Sequence, residues 1–353
     1  MTPHQTYIKR CVELAQNGLG TTYPNPLVGS VIVYNDIIIG EGWHKKTGES
    51  HAEVIAINSI KDKSLLKKST IYVSLEPCSH FGKTPPCADL IIEHQIPKVV
   101  IGTIDPFAKV CGNGIAKLKN AGIEVEVGFL EKECNELNKR FFTFHQKKRP
   151  YIILKWAQTQ DGFIAPLQKN HNRPVWVSNE FSRQLVHKWR TEEQAILVGT
   201  NTVLQDNPKL DIRHWIGQNP MRIVLDRELK IPEDYSVYDT NSKTIFITEK
   251  HKESFKENIY FETIDFQNNR NAQILDILYK HQIQSVIIEG GTSVLQSFIK
   301  DNLWDEARVF ASDLILENGI KAPDFDVEEH SQTSILNDTL SLFYNSRQKN
   351  EDK

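Results

Sequence analysis

Hydrophobic and polar positions change their period several times along the chain, and each change marks an element. Residues 4–17 carry apolar side chains at helical spacing, and VGSVIVYNDIIIGEGWH then reads as two strands around a polar Tyr-Asn-Asp turn. A helix over AEVIAINSI, a strand over TIYVSL, a helix through CADLIIEHQ, a strand over KVVIGTI, a helix near GIAKLKNAG and a strand over IEVEVGF follow in order. Strands that are apolar throughout predict a sheet covered by helices on both faces. One more helix is expected over EKECNELNKRFFTFHQ. The basic run QKKRP after it reads as solvated linker, which places the boundary at 146–150 and the domains at 1–146 and 150–345.

Beyond the linker the pattern keeps its α/β style. Strands are expected at YIILKWA, AILVGT, MRIVLD, KTIFIT and SVIIEGG, and helices at SNEFSRQLVHKWR, NAQILDILYKHQ and TSVLQSFIKDN. This alternation predicts a doubly wound sheet. No repeat with a period of about 20–50 residues is visible, and the last stretch, rich in Asp, Glu, Ser and Asn, carries little signal.

Composition narrows the function classes. With 353 residues, 39% hydrophobic and 25% charged, the chain is long enough to bury two cores. No apolar run approaches the roughly 20 residues of a membrane span, and the N-terminus lacks the apolar core of a leader, so a cytoplasmic location is expected. A net charge of −3, without a basic block studded with aromatics, argues against nucleic-acid partners. Small molecules are the expected ligands, and a homo-oligomer the expected assembly. The 5 cysteines are too scattered for a disulfide framework.

Only Cys78 and Cys87, in EPCSHFGKTPPCADL, are close enough to suggest shared chemistry. Alone they are as compatible with buried apolar positions as with a metal. Upstream, His51-Ala52-Glu53 stands where the polar segment KKTGES gives way to an apolar helix. One imidazole and two thiolates leave the fourth position of tetrahedral zinc open, the arrangement of a catalytic site. Glu53, beside the metal but not bound to it, is the candidate proton carrier. Positions i and i+2 do not share a helix face, so His51 and Glu53 can flank one site only if the helix begins there. His-x-Glu followed by Pro-Cys and a second cysteine at the head of a helix is the signature of zinc nucleobase deaminases, with the difference that eight residues, not two, separate the cysteines here.

The second domain lacks GxGxxG after a strand. Its best cofactor candidate is SVIIEGGTSVLQSF, where Glu289-Gly290-Gly291 ends a strand and a helix starts at once, offering free N–H groups and a positive helix end; a double glycine there is also an ordinary turn. GTNTVLQDNPKLDIR puts Thr, Asp, Asn and Arg at the carboxyl end of another strand, where ligands of open α/β sheets gather.

TTYPNPLVG, GWHKKTGESHAEV and EPCSHFGKTPPC resemble the deaminase half of the bifunctional riboflavin-biosynthesis deaminase/reductases, and LKWAQTQDGFIA, VWVSNEFSR and the two segments above resemble their reductase half. The resemblance implies a cytidine-deaminase-like three-layer domain followed by a dihydrofolate-reductase-like α/β domain. It also implies one zinc on His51, Cys78 and Cys87, Glu53 as proton shuttle, and substrate contacts at Asn25, His44 and Lys83. In the second domain it implies NADPH contacts at Ala157, Trp176, Thr202, Asp206, Gly291, Thr292, Ser293, Val294, Leu295, Gln296 and Ser297. Reductase substrate contacts fall on Lys155, Arg190, Leu210, Arg213 and Glu289. The implied substrate is a phosphoribosyl diaminopyrimidinone, deaminated first and then reduced in its sugar. Two departures stand out: Pro174 replaces the family's usual serine and Ser178-Asn179 its Thr-Ser, and FASDLILENGIKAPDF replaces a glycine-rich segment.

Overall fold

The computed structural model describes residues 1–79, 85–106, 111–167, 175–254 and 256–345. The chain divides into two compact units, Met1–Lys148 and Arg149–Lys353.

In the first unit the elements are α1 (Pro3–Ala15), β1 (Gly29–Tyr34), β2 (Ile37–Trp43), α2 (Ala52–Ser59), β3 (Thr70–Leu75), α3 (Cys87–Glu93), β4 (Lys98–Thr103), α4 (Asn113–Asn120), β5 (Glu124–Val127), α5 (Glu131–Leu137) and α6 (Lys139–Lys147). Helix α1 starts where its sequence says it should: Thr2 Oγ1 accepts from the Gln5 N–H while Gln5 Oε1 accepts from the Thr2 N–H, and Pro3 occupies the first helical position. The strands form one sheet in the order β2-β1-β3-β4-β5, antiparallel on the β2-β1-β3 side and parallel from β3 to β5. Alternate strand residues serve two cores. Ile32, Ile71, Val73, Val99 and Ile101 pack under α2, α3 and α4, whereas Val31, Val33, Tyr72 and Val100 pack against Ile8, Cys11 and Leu14 of α1 and Cys134 of α5. This is the three-layer arrangement.

Two expectations need correction. The strands are not apolar throughout: edge strand β2 exposes Ile37 and Ile38, and β5 (EVEV) has no fully buried residue, because an edge strand has a neighbour on one side only. The helix expected over EKECNELNKRFFTFHQ is broken into α5 and α6 at Asn138, whose side chain leaves the helix pattern to pair with both backbone groups of Leu27 (2.8 and 2.9 Å).

The second unit comprises β6 (Tyr151–Gln158), β7 (Phe163–Ala165), α7 (Glu180–Glu192), β8 (Ala195–Gly199), α8 (Thr200–Asp206), β9 (Met221–Leu225), β10 (Thr244–Thr248), β11 (Ile259–Thr263), α9 (Arg270–Lys280), β12 (Ser285–Gly290), α10 (Thr292–Lys300), β13 (Glu306–Ala311), β14 (Ile320–Lys321), β15 (Ser331–Ile335) and β16 (Asp338–Tyr344). Nine strands form a sheet in the order β11-β10-β9-β8-β12-β6-β13-β16-β15, parallel except for the last two. Helices cover both faces: α9 and α10 pack on Ile152, Leu154, Leu197 and Ile288, and α7 on Ile153, Ile287 and Phe310. The segment carrying little sequence signal is the β15–β16 hairpin, whose alternation is masked because β15 is almost wholly exposed. FASDLIL begins inside β13, which pairs with β6 from Glu306–Ile153 to Ala311–Gln158.

Candidate active sites

The first site forms at the start of α2. His51 is the residue before the helix, with extended backbone (φ −70°, ψ 163°), and Glu53 lies in its first turn. The residues at 51 and 53 therefore escape the helical rule that would turn them apart. The helix itself lies hard against β2: a Cβ on Gly42 would meet the Ala52 carbonyl oxygen at 2.5 Å, so glycine is required for that approach. Cys78 follows β3, and Cys87 opens α3. The Cys87 N–H donates to Cys78 Sγ (3.3 Å), and the Ala88 N–H to the Cys78 carbonyl (3.1 Å). One ligand atom from each of His51, Cys78 and Cys87 falls within 4.8 Å of the other two, with His51 Nδ1 3.6 Å from Cys78 Sγ and 3.3 Å from Cys87 Sγ.

The electrostatics suit a metal. The hydrogen bond from Cys87, with help from His51, brings the Cys78 thiol down to about 4 against the cost of burial. The Cys78 partner raises His51 to about 9. Two sulfurs with one imidazole are zinc's preferred donors. Glu53 is buried, its carboxyl pushed up first by burial, and it accepts from the Cys87 thiol. A carboxyl whose hold on a proton is strengthened by burial, beside a metal position, is equipped to take and return a proton.

Asn25 and His44 stand beside this group. The His44 ring packs edge-on against His51 at 5.5 Å, with Nδ1 3.2 Å from the Ser50 carbonyl and Nε2 3.1 Å from Asn25 Nδ2. Burial lowers the His44 pKa. The neutral tautomer with its proton on Nδ1 satisfies both contacts, donating to Ser50 and accepting from Asn25. Lys83 lies outside the described residues.

The second site is a cleft of about 840 Å³ at the carboxyl ends of β6, β12, β8 and β9. Its floor follows from register. Ile288 of β12 pairs with Leu154 of β6, which brings Glu289 beside Lys155. Arg190 of α7 closes the group: Nε and Nη2 donate to Glu289 (3.1 and 2.8 Å), and Nη1 to the Asp211 carbonyl (2.9 Å). Burial works against the Glu289 carboxylate, but Arg190 and Lys155 outweigh it and hold its pKa at about 2. Burial also lowers Lys155, with Arg190 adding to the effect and Glu289 opposing it. Between β12 and α10 the chain turns through Gly290, whose φ of +127° requires glycine, and Gly291 then faces Thr202.

Lys155, Ala157, Trp176, Arg190, Thr202, Asp206, Leu210, Arg213, Glu289 and the segment from Gly291 to Gln296 all line this cleft. Ser297 does not; its hydroxyl meets Arg270 (2.6 Å) and Asn271 (3.1 Å). Arg213 reaches Asp211 (2.6 Å). Of the departures, Pro174 lies outside the described residues, whereas Asn179 caps α7 by accepting from the Ser182 N–H (3.0 Å). His187 carries no signal in the sequence pattern. It lies one turn before Arg190 on the cleft face of α7, and burial, with Arg190 and Arg213 nearby, lowers it to about 4.

Comparison with known proteins finds a relative for each unit. The family model for the cytidine and deoxycytidylate deaminase zinc-binding region matches residues 1–103, and that for the RibD C-terminal domain matches residues 150–324. The riboflavin biosynthesis protein RibD of Aquifex aeolicus is 41% identical over 328 residues, covering 92% of this chain and 90% of that protein. The chain belongs to the RibD family. The RibD protein of Synechocystis is 39% identical over 329 residues, covering 92% of this chain and 88% of its own length. Among solved structures, a diaminohydroxyphosphoribosylaminopyrimidine deaminase/5-amino-6-(5-phosphoribosylamino)uracil reductase from Thermotoga maritima superposes with a TM-score of 0.88 at 38% identity, covering 97% of this chain and 98% of that one. The protein is accordingly an enzyme of riboflavin biosynthesis with a zinc-dependent deaminase domain and an NADPH-using reductase domain. Among the described residues no helix is long and apolar enough to cross a membrane.

Proposed function

We propose that residues 1–146 remove the 2-amino group of 2,5-diamino-6-(5-phosphoribosylamino)pyrimidin-4-one and that residues 150–345 reduce the ribosyl group of the resulting uracil to ribityl. The observation that carries the first step is the buried Glu53 carboxyl touching a His51/Cys78/Cys87 group whose ligand atoms lie within 4.8 Å. Zinc bound by these three residues supplies the Lewis acidity that activates water near neutral pH. Glu53 would be the group that holds a proton at its carboxyl and returns it to the departing ammonia. The Asn25 amide, oriented by His44, reads the heterocycle edge, and Lys83 suits the substrate phosphate.

For the second step NADPH supplies the hydride. The Gly291–Gln296 turn and the start of α10 offer N–H groups to its diphosphate. Lys155, Glu289 and Arg190 form the polar floor on which the sugar is oriented. Three of the five Arg190 N–H groups have partners within the protein, and Arg213, held by Asp211, offers its remaining N–H groups to the phosphate of the substrate. Leu210 and Trp176 provide apolar wall. Five free cysteines suit a reducing cytoplasm, the location expected along with a homo-oligomer.

The experiment is ammonia release from the phosphoribosyl diaminopyrimidinone by protein stripped of metal and reloaded with zinc. Release restored by zinc and abolished in Glu53→Gln supports the reading. Release that persists without metal, or that survives Glu53→Gln, contradicts it.

A further inference from the structure

The carboxyl end of β3 carries more than a metal ligand. Glu76 follows the last residue of the strand and stands just ahead of Pro77 and Cys78; it is only 4% exposed. Strands β3 and β4 run parallel with Leu75 beside Thr103, so the Glu76 N–H donates to the Thr103 carbonyl (3.0 Å) and the two chains leave the sheet side by side. Where α4 begins, the chain that left β4 meets the Glu76 carboxylate again.

Both carboxylate oxygens are committed to backbone donors. Oε1 accepts from the Gly114 and Ile115 N–H groups in the first turn of α4 (2.9 and 3.3 Å), and Oε2 from the N–H groups of Gly112 (3.0 Å) and Asp105 (3.4 Å). One buried anion thus ties residues 105 and 112 together and occupies the positive end of α4. The approach is close: a Cβ on Gly114 would collide with the Pro77 carbonyl oxygen, so α4 bears directly on the residue before Cys78. The same helix backs the other thiol. Ile115 packs on the cluster that includes Ala88 and Ile91 of α3, and Lys117 pairs with Asp89, so the helix that opens with Cys87 rests against α4.

A carboxylate this near a metal position is itself a candidate ligand. Its oxygens are turned onto α4, however, and among the described residues the ligand atoms that gather are those of His51, Cys78 and Cys87. What Glu76 fixes is place. The Cys87 and Ala88 N–H groups hold Cys78 from the α3 side, and Glu76 with Pro77 holds it from the α4 side. Groups that orient ligands without touching the metal commonly govern its affinity by roughly tenfold to a hundredfold. Resting on the zinc reading of this site, we infer that Glu76 is a positioning residue for Cys78, coupling the start of α4 to the geometry of the metal ligands.

The test is zinc release from the full-length chain to a coloured chelator, together with the absorption spectrum of the cobalt-substituted protein, whose thiolate and ligand-field bands report the metal geometry without turnover. Glu76→Gln keeps the size of the side chain but turns an amide N–H group toward backbone donors. It is expected to release zinc roughly tenfold to a hundredfold faster than wild type and to shift the cobalt bands. Gly114→Ala, which presses on Pro77 from the other side, shifts the bands as well. Glu76→Asp, with its charge on a shorter stem, falls between Gln and wild type and serves if the Gln variant does not fold. Ile8→Val, in the α1 core on the opposite face of the sheet, lowers the melting temperature but keeps wild-type release and bands. Wild-type release and bands in the Glu76 and Gly114 variants overturn the inference while leaving the zinc reading intact. An equal effect of Ile8→Val overturns it too, since the loss is then one of general stability. A cobalt form of the wild type without thiolate bands overturns both.

Discussion

Replacing Glu289 by glutamine tests the electrostatics of the reductase floor. The side chains of Arg190 and Glu289 are 11% and 10% exposed, so their bidentate pair is largely shielded from water. Arg190 and Lys155 lower the Glu289 pKa from 4.5 to about 2 despite burial. At about 1.36 kcal/mol per tenfold change in proton affinity, that difference is worth roughly 3 kcal/mol. It is also the range expected when a buried pair loses one partner and leaves the other uncompensated. Because the folded pKa lies below the unfolded one, the contribution is fully present above about pH 4.5 and is lost as the pH falls toward about 2. Urea unfolding of the full chain, followed through the buried Trp189 and Trp304, reads the second unit directly. Glu289→Gln should lower its stability by about 3 kcal/mol at neutral pH, with the gap to wild type shrinking steadily between pH 4.5 and 3. A gap under about 1 kcal/mol at neutral pH, the range of an exposed pair, refutes the reasoning. So does a gap that does not change with pH.

Three further outcomes follow from the same geometry. Glu53→Gln should retain one zinc per chain by metal analysis while deamination falls by at least roughly a hundredfold, since it removes the proton carrier and no ligand. Cys78→Ser should lose zinc to a mild chelator that leaves wild type loaded, because a hydroxyl replaces the thiolate favoured by its surroundings. Asn179→Ala removes the cap of α7 and the Asn179 contacts to Ile335 (2.7 Å) and Asn337 (3.1 Å). A loss of about 1–2 kcal/mol is expected by urea titration.

Much of this architecture is legible in the sequence because local pattern and tertiary role coincide. In β1 and β3, flanked by strands and covered on both faces, successive apolar residues serve the two cores seen at Ile32 and Val31. The start of α2 at Ala52 is legible for a different reason: the chemistry demanded it, since His51 and Glu53 cannot meet otherwise. What escapes notice is set by long-range partners. Asn138 breaks a helix by bonding to Leu27, and the exposed β15 takes its register from β16. Glu76 sits in the same short run as Cys78, yet its importance appears only when its carboxylate is seen accepting from the Gly112 and Gly114 N–H groups at the start of α4 (3.0 and 2.9 Å). No local signal announced that Ser297 would serve Arg270 from another helix.

The central claim, two consecutive reactions on one chain, is tested most directly by mass spectrometry of the phosphoribosyl diaminopyrimidinone after incubation with zinc-loaded protein, with and without NADPH. The account predicts deaminated product without NADPH and its two-hydrogen-heavier form with it. Deaminated product alone in both tubes would contradict the reductase half, and unchanged substrate in both would contradict the account as a whole.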